Sequence, residues 1–460
     1  MQHVKEKKTD AELKILKKHL SKRRWKTKLN RPARRVRNKF LVCFGCGASI
    51  GLLCSSAIFL INGITPKYQK KYIPYEFYHT YRDDYGRNIL DGFDPSADLD
   101  LLVNYNTMFI YDTIDAIDNY SFDKSRNDPL HYIPDDIKYL DFSYATIKGY
   151  IIGDGSFNEC NNFDEVTFAR VISIGNSAFN NCSSIKKTVY FDNTLTNIGA
   201  YAFNNCFSMV GDLRLNNTIN NIGHHAFANC KKINGTLLIP SSIIEINDSV
   251  FENCFNIQQV SFQGPSNIES FLANSFSNCY SLQSVDFSSL TMLETIGDSA
   301  FANCSNLRSV NFNGLKKITL LDRKSFYNCE KLSIVNLYNN DNLSTIGDSA
   351  FANCNNLTSF DFLNTNISYI KDSAFANCSN LFRNNYSSFF NDMIVEFGSN
   401  SFENVFFLIS LTFYGMIPPI RGANCFGWND INSHVIKVNA NNVDAYIQAW
   451  PDYASIIQAL

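Results

Sequence analysis

Polar and apolar positions recur along this chain in one repeating phase. Aligned on Phe-x-x-Cys, ten copies follow one another: Phe157/Cys160, Phe179/Cys182, Phe203/Cys206, Phe227/Cys230, Phe251/Cys254, Phe276/Cys279, Phe301/Cys304, Phe326/Cys329, Phe351/Cys354 and Phe375/Cys378. An eleventh, Phe402-Glu403-Asn404-Val405, lacks the Cys. Successive Phe residues stand 22, 24, 24, 24, 25, 25, 25, 25, 24 and 27 apart. An apolar residue sits five before each Phe, such as Ile174, Ile296 or Ile346, and another three after the Cys, such as Leu307 or Leu357. Two alternating apolar positions follow in most copies, as in Val285/Phe287, Val310/Phe312 and Val335/Leu337. Period-two alternation predicts a short strand with one face inward. Three copies carry one extra residue before it, placing the pairs at Val189/Phe191, Leu213/Leu215 and Leu237/Ile239. A period of this length predicts a solenoid, in which no coil buries its apolar positions alone and eleven stacked coils form one core. At a strand spacing of ~4.8 Å the stack would be about 50 Å long.

A second pattern precedes the repeats. Phe40 to Ile61 runs without a charge, and at about 1.5 Å per residue would cross a hydrocarbon core of ~30 Å. Arg31, Arg34, Arg35, Arg37 and Lys39 stand directly before it. The positive-inside rule therefore keeps residues 1–39 in the cytoplasm and puts the repeats outside the cell. A cleaved signal peptide with Ser55-Ser56-Ala57 at its cleavage site is the competing reading. The long basic stretch and the apolar run that resumes at Ile58-Phe59-Leu60-Ile61 favour an uncleaved anchor. Gly47, Gly51 and Ser55 lie on one small-residue face suited to pairing two such helices, so a homo-oligomer is an expected possibility.

The chain then divides into a basic cytoplasmic tail (1–39), a transmembrane helix (40–61), a stalk or N-terminal cap (62–132), the repeats (133–410) and a C-terminal capping module (411–460). The net charge of −2 conceals an asymmetry. Residues 1–39 carry 16 Lys and Arg against three acids, and the remainder 25 bases against 40 acids. Leu13, Leu16 and Leu20 among the lysines suit an amphipathic helix on an anionic leaflet. Aromatic residues do not interleave with the basic ones beyond Trp25, so no nucleic-acid partner is expected.

Ten of the 14 cysteines share one repeat phase, which predicts a buried column of free thiols rather than an irregular disulfide framework. The Asn preceding most of them (Asn181, Asn205, Asn229, Asn303) forms a second column, expected to satisfy backbone groups at the bend. The full pattern I-G-x-x-A-F-x-N-C-x-x-L-x-x-V-x-F, clearest in Ile296–Phe312 and Ile346–Phe362, resembles the BspA-like family of leucine-rich repeats. Thr412-Phe413-Tyr414-Gly415, Pro418-Pro419, Val443-Asp444-Ala445-Tyr446 and Trp450-Pro451-Asp452-Tyr453 are similar to the module that closes many such proteins. The resemblance covers about 133–460. It implies an α/β-type repeat solenoid with one short strand per repeat, preceded here by a transmembrane helix. It also implies a cell-surface role in adhesion and protein binding on a scaffold that is not itself catalytic.

Catalytic or metal-binding motifs are absent from the sequence. Gly47-Ala48-Ser49-Ile50-Gly51 matches a nucleophile elbow only in spelling, inside the apolar run. His224-His225 occupy the two variable positions of I-G-x-x-A-F and read as exposed loop residues. No cofactor is expected, and an enzyme would have only 62–132, with lone His79, as unassigned room.

Repetition aligns the outward strand positions into one surface, expected to be concave, polar and mildly acidic and to grip an extended protein ligand. It presents Tyr190, Arg214, Leu238, Asp286, Asn311, Asn336 and Asp361 centrally, with Gln263 and Tyr338 beside them. Tyr190, Arg214 and Tyr338 are the hot-spot types among them. The competing reading is a solvated ladder of hydrogen-bonded Asn, Asp and Ser, in a coat or spacer protein that acts through self-association.

Overall fold

One coil shows how the chain builds the rest. Val285 and Phe287 point inward from the extended segment Ser284–Asp286, and after a turn Leu290 and Leu293 return to the core. A second extended pair, Thr295–Ile296, follows, then Gly297 and a tight turn carrying Ala300, Phe301 and Cys304 inward. Each extended segment finds its partner one coil later: Ser284 pairs with Ser309, Val285 with Val310, Thr295 with Leu320 and Ile296 with Leu321, all parallel. The computed structural model describes residues 71–460, apart from 98–100, 103, 104, 112, 113, 127, 144–148, 188 and 386. The basic tail, the expected span and its Gly47, Gly51 and Ser55 face lie outside the described residues. Among the described residues no helix is long and apolar enough to cross a membrane.

The coils differ from the expected ones in two respects. Most carry two strand segments rather than one. The Ile-Gly positions form their own ladder, running in one eight-stranded sheet from Glu245–Ile246 to Ile420–Arg421. These segments are two residues long, too short to show alternation, so only pairing between coils reveals them. Nor do the described residues of the repeats contain a helix. In the turn before the Cys, two residues per coil take left-handed φ, Ser299 at 56° and Asn303 at 60°, and the same pair recurs at Ser349 (54°) and Asn353 (65°). Alternating handedness cannot propagate a helix. Instead, every second N–H points along the stack, so that Ser299, Phe301 and Asn303 donate to the carbonyls of Arg323, Ser325 and Tyr327 at 2.8, 2.8 and 2.7 Å. The glycine of the Ile-Gly pair is set by close approach rather than by φ. A Cβ on Gly347 would lie 2.7 Å from the backbone N of Arg323.

Three columns run through the core. The Phe rings stack face to face from Phe122 to Phe402, for example Phe276/Phe301 at 5.3 Å and Phe301/Phe326 at 5.5 Å between centroids. Each offset pair contributes about 0.5–1.5 kcal/mol beyond its buried area. The described cysteines are free and buried. In the repeats each Sγ donates to a Phe carbonyl of the preceding coil, as Cys304 does to Phe276 O at 3.4 Å and Cys378 to Phe351 O at 3.1 Å. The Asn column bonds mainly to itself. Asn303 Nδ2 donates to Asn278 Oδ1 at 2.9 Å, and Asn328 Nδ2 to Asn303 Oδ1 at 3.0 Å.

Upstream of the Phe-x-x-Cys copies, the core continues without a break from Ile73. An antiparallel hairpin, Tyr78–Arg82 with Asn88–Phe93, opens the sheet, and its second strand pairs in parallel with Ala116–Ile117. Phe122 follows Ile117 at the repeat's own spacing and stacks on Phe157 at 5.6 Å. It belongs to a coil that Phe-x-x-Cys alignment misses because Ser125 stands where the Cys would be. At the other end Ser387–Phe390, Ser410–Phe413, Val435–Val438 and Ile457–Ala459 form a parallel sheet closed by the helix Val443–Ala449. Trp450 there packs against Phe413 and Phe426, and its Nε1 donates to Pro419 O at 3.1 Å.

Candidate protein-binding face

The outward positions of the Val-x-Phe ladder divide into two chemically distinct groups. At Asp286, Asn311 and Asp361 the side chain folds back on its own backbone. Asp286 Oδ1 accepts from Ser288 N at 3.0 Å and from Asn311 Nδ2 at 2.9 Å. Asn311 Oδ1 accepts from Asn313 N at 3.2 Å, and Asp361 from Leu363 N and Asn364 N at 3.1 and 3.0 Å. These are Asx turns that redirect the chain where each strand ends. Their signature, Asp or Asn two residues before the donating amide, is visible in the sequence at Asp192/Thr194, Asn216/Thr218 and Asp286/Ser288. Asn336 is exposed, while Gln263 is half-buried with its Oε1 sealed from solvent.

The second group lies on the three coils with the extra residue. From the first to the third of these the ladder thins to isolated parallel bridges, Tyr190 to Arg214 and Arg214 to Leu238, before resuming as the paired strand Asn234–Ile239. Their side chains stand clear of the core: Tyr190 is 58% exposed, Arg214 is exposed, and Leu238 is 37% exposed. The Arg214 guanidinium sits 6.0 Å from the Tyr190 ring centroid, a weak cation–π contact that holds both groups side by side. An aromatic ring, a guanidinium and an aliphatic side chain thus occupy successive coils with no part in turn formation. Tyr338, 69% exposed, stands apart on the ladder, and its N–H donates to Asn313 Oδ1 at 3.2 Å.

A further stripe went unremarked in the sequence. The position after the Cys holds Phe207, Lys231, Phe255 and Tyr280 in four consecutive coils. Lys231 Nζ lies 5.0 and 5.4 Å from the two Phe centroids, and Phe255 and Tyr280 are 5.0 Å apart. Ser183, Ser305 and Glu330 occupy the same position elsewhere, so the switch from small or charged residues to rings was the available signal.

His224 is exposed, whereas His225 is half-buried and stacked on Tyr201 at 4.7 Å. Burial, followed by the neighbouring His224, pushes the His225 pKa below its ordinary value. Among the described residues no group of three or more His, Cys, Asp or Glu stands together as a metal site.

The chain has no match among curated proteins. Among solved structures it is similar to a leucine-rich repeat protein of Bacteroides ovatus, at 19% identity and TM-score 0.45, covering 80% of this chain and 99% of that one. It is also similar to a leucine-rich cell surface protein of Faecalibacterium prausnitzii, at 17% identity and TM-score 0.43, covering 81% and 97%. The family description "BspA type leucine rich repeat region" matches in six copies, over residues 150–263, 208–333 and 294–432. With these matches spanning more than half of its length and the repeat stacked as described, the chain belongs to the BspA-type leucine-rich repeat family.

Proposed function

We propose that this protein is a membrane-anchored surface protein that binds a protein ligand through the outward face of its solenoid, centred on Tyr190, Arg214 and Leu238. The observation that carries this reading is the division of the ladder. Asp286, Asn311 and Asp361 commit their side chains to turns, while Tyr190 and Arg214 expose hot-spot side chains, with the apolar Leu238 beside them, that the fold does not use. Repeat scaffolds bind partners through such extended surfaces, with specificity set by variable outward residues. The uncharged run 40–61 with its preceding arginines supports an anchor with the N-terminus in the cytoplasm and the repeats outside.

Cells carrying the full chain are shaved with protease and blotted for residues 1–39 and 140–400; loss of only the repeat epitope is expected. Cell binding to a panel of matrix and cell-surface proteins is then compared for wild type, Tyr190→Ala, Arg214→Ala and Tyr338→Ala. Binding is expected to fall at least about tenfold for the first two, the scale of a hot-spot truncation, with unchanged melting. Repeats that stay protected until the cells are broken open would refute the topology. Binding untouched at Tyr190 and Arg214 would refute the face and favour the spacer reading.

A further inference from the structure

The last coils carry a surface that neither the repeat nor the binding face explains. Where the Ile-Gly ladder ends, Tyr369 pairs with Glu396 and Glu396 with Ile420, so three coils lie side by side. Val395 N donates to Ser368 O and Ile420 N to Val395 O, both at 2.8 Å. A Cβ on Gly415 would sit 3.3 Å from Asp392 Cα, which sets Met416 and Ile417 running beside Asp392 and Met393. Met416 is 77% exposed, Ile417 80%, Ile420 67%, Val395 44%, Met393 43% and Tyr369 36%.

In the three coils directly upstream these two register positions are polar, although Met292, Ile244 and Ile172 occupy them farther up the stack. Asn366, Asn342 and Lys317 stand where Met393 and Ile417 do, and Ser368, Ser344 and Thr319 where Val395 does. The apolar side chains are therefore not required by the coil. Within the flank Lys371 Nζ bonds Glu396 Oε2 at 3.0 Å and lies 4.7 Å from the Tyr369 centroid, while Asp392 stands exposed at its edge. Trp450 and Tyr453 close the end of the stack, where Arg421 stacks on Tyr453 at 4.5 Å and pairs with Asp452 at 3.1 Å.

We infer that this flank is a homodimer interface, in which a second copy of the chain places its own Met393, Val395, Met416, Ile417 and Ile420 against the first. Size decides for a second copy. At about 150–200 Å² per fully exposed large side chain, the six residues leave about 520–690 Å² of apolar surface, at the top of or above the ~300–600 Å² of the largest patch on a typical monomer. Homodimer interfaces are about 65% apolar, so this much apolar area corresponds to roughly 800–1,060 Å² per partner, at or above the ~800 Å² of a standard stable interface. A contiguous apolar face can serve as the same patch on both copies, which is what a two-fold contact requires. The inference does not depend on the ligand-binding face.

The test uses the full chain in detergent micelles, with molar mass measured by light scattering at micromolar concentration. Wild type is compared with Ile417→Asp, Ile420→Asp, the milder Ile417→Ser, and the span variant Gly47→Leu/Gly51→Leu. The expected result is a wild-type dimer, association at least tenfold weaker in the Asp variants, intermediate in Ile417→Ser, and unchanged in the span variant. Unchanged thermal melting shows that the Asp variants fold. Peroxide oxidation of Met416, read by mass spectrometry, supplies a second measurement, with protection expected at high concentration and lost on dilution. A monomeric wild type overturns the inference. So does a dimer that only the span variant disrupts, or a Met416 that stays protected in the monomer, which would mean that the chain's own residues cover the flank.

Discussion

The Cys residue of the repeat shows how much one position does in this fold. Each repeat thiol is a small core group and also a second donor to the Phe carbonyl of the coil before it, which otherwise accepts only the N–H of the Cys in its own coil. Burial pushes nine of the ten repeat thiols, and Cys425 of the cap, above the ordinary cysteine range, to about 12 at Cys304 and Cys378. In the unfolded chain they ionise near pH 8.5. The stabilisation from holding them neutral is thus complete below that pH and is lost as pH rises toward the folded values. Unfolding between pH 9 and 11 should therefore release up to ten protons per molecule, each worth about 1.4 kcal/mol per pH unit. Urea midpoints at pH 8, 9 and 10 test this, with Cys304→Ala expected to flatten the slope by one proton. A midpoint independent of pH over that range would contradict it. The Asp and Asn residues of the outward face teach the complementary lesson: a polar residue on a surface can be fully occupied by its own turn.

At the scale of the element, the coil is held by parallel contacts between equivalent residues. The turn before the Cys tolerates two left-handed residues because its N–H groups then reach the next coil. Asn suits the second of these positions twice over, through its tolerance of positive φ and through the side-chain ladder. Replacing Asn303 separates the two effects. Asn303→Gly keeps the backbone and loses the bonds to Asn278 and from Asn328, whereas Asn303→Ala adds the left-handed penalty. In urea unfolding the Ala variant should be less stable than the Gly variant by about 1 kcal/mol. Equal stability would mean that the ladder alone explains the Asn.

At the scale of the whole molecule, contacts reach from each coil only to its neighbours, so stability should be regional. Trp450 is the largest fully buried side chain of the cap. Trp450→Ala should cost about 3–5 kcal/mol. Hydrogen exchange should show protection lost in the coils after Phe402 and retained around Ile296–Phe351. Uniform loss along the stack would show cooperativity beyond nearest neighbours.

The periodicity of Phe, Cys, Ile and Val determined the solenoid, its coil length, its buried columns and which residues face outward, because a repeated apolar phase can be buried only by stacking like upon like. Local pattern could not reveal what depends on the next coil. The second ladder is two residues deep per coil. The coil of Phe122 lacks the marker Cys. The turn's alternating handedness satisfies hydrogen bonds that exist only between neighbours. The same holds for the two surfaces argued to have a role. Tyr190, Arg214 and Leu238 were legible as outward residues, but only their freedom from the turns distinguishes them from Asp286 or Asn311. Met416 and Ile417, unremarkable in the sequence, become a patch only when the tertiary stack lays them beside Met393 and Val395, since exposure depends on what the neighbouring coils cover.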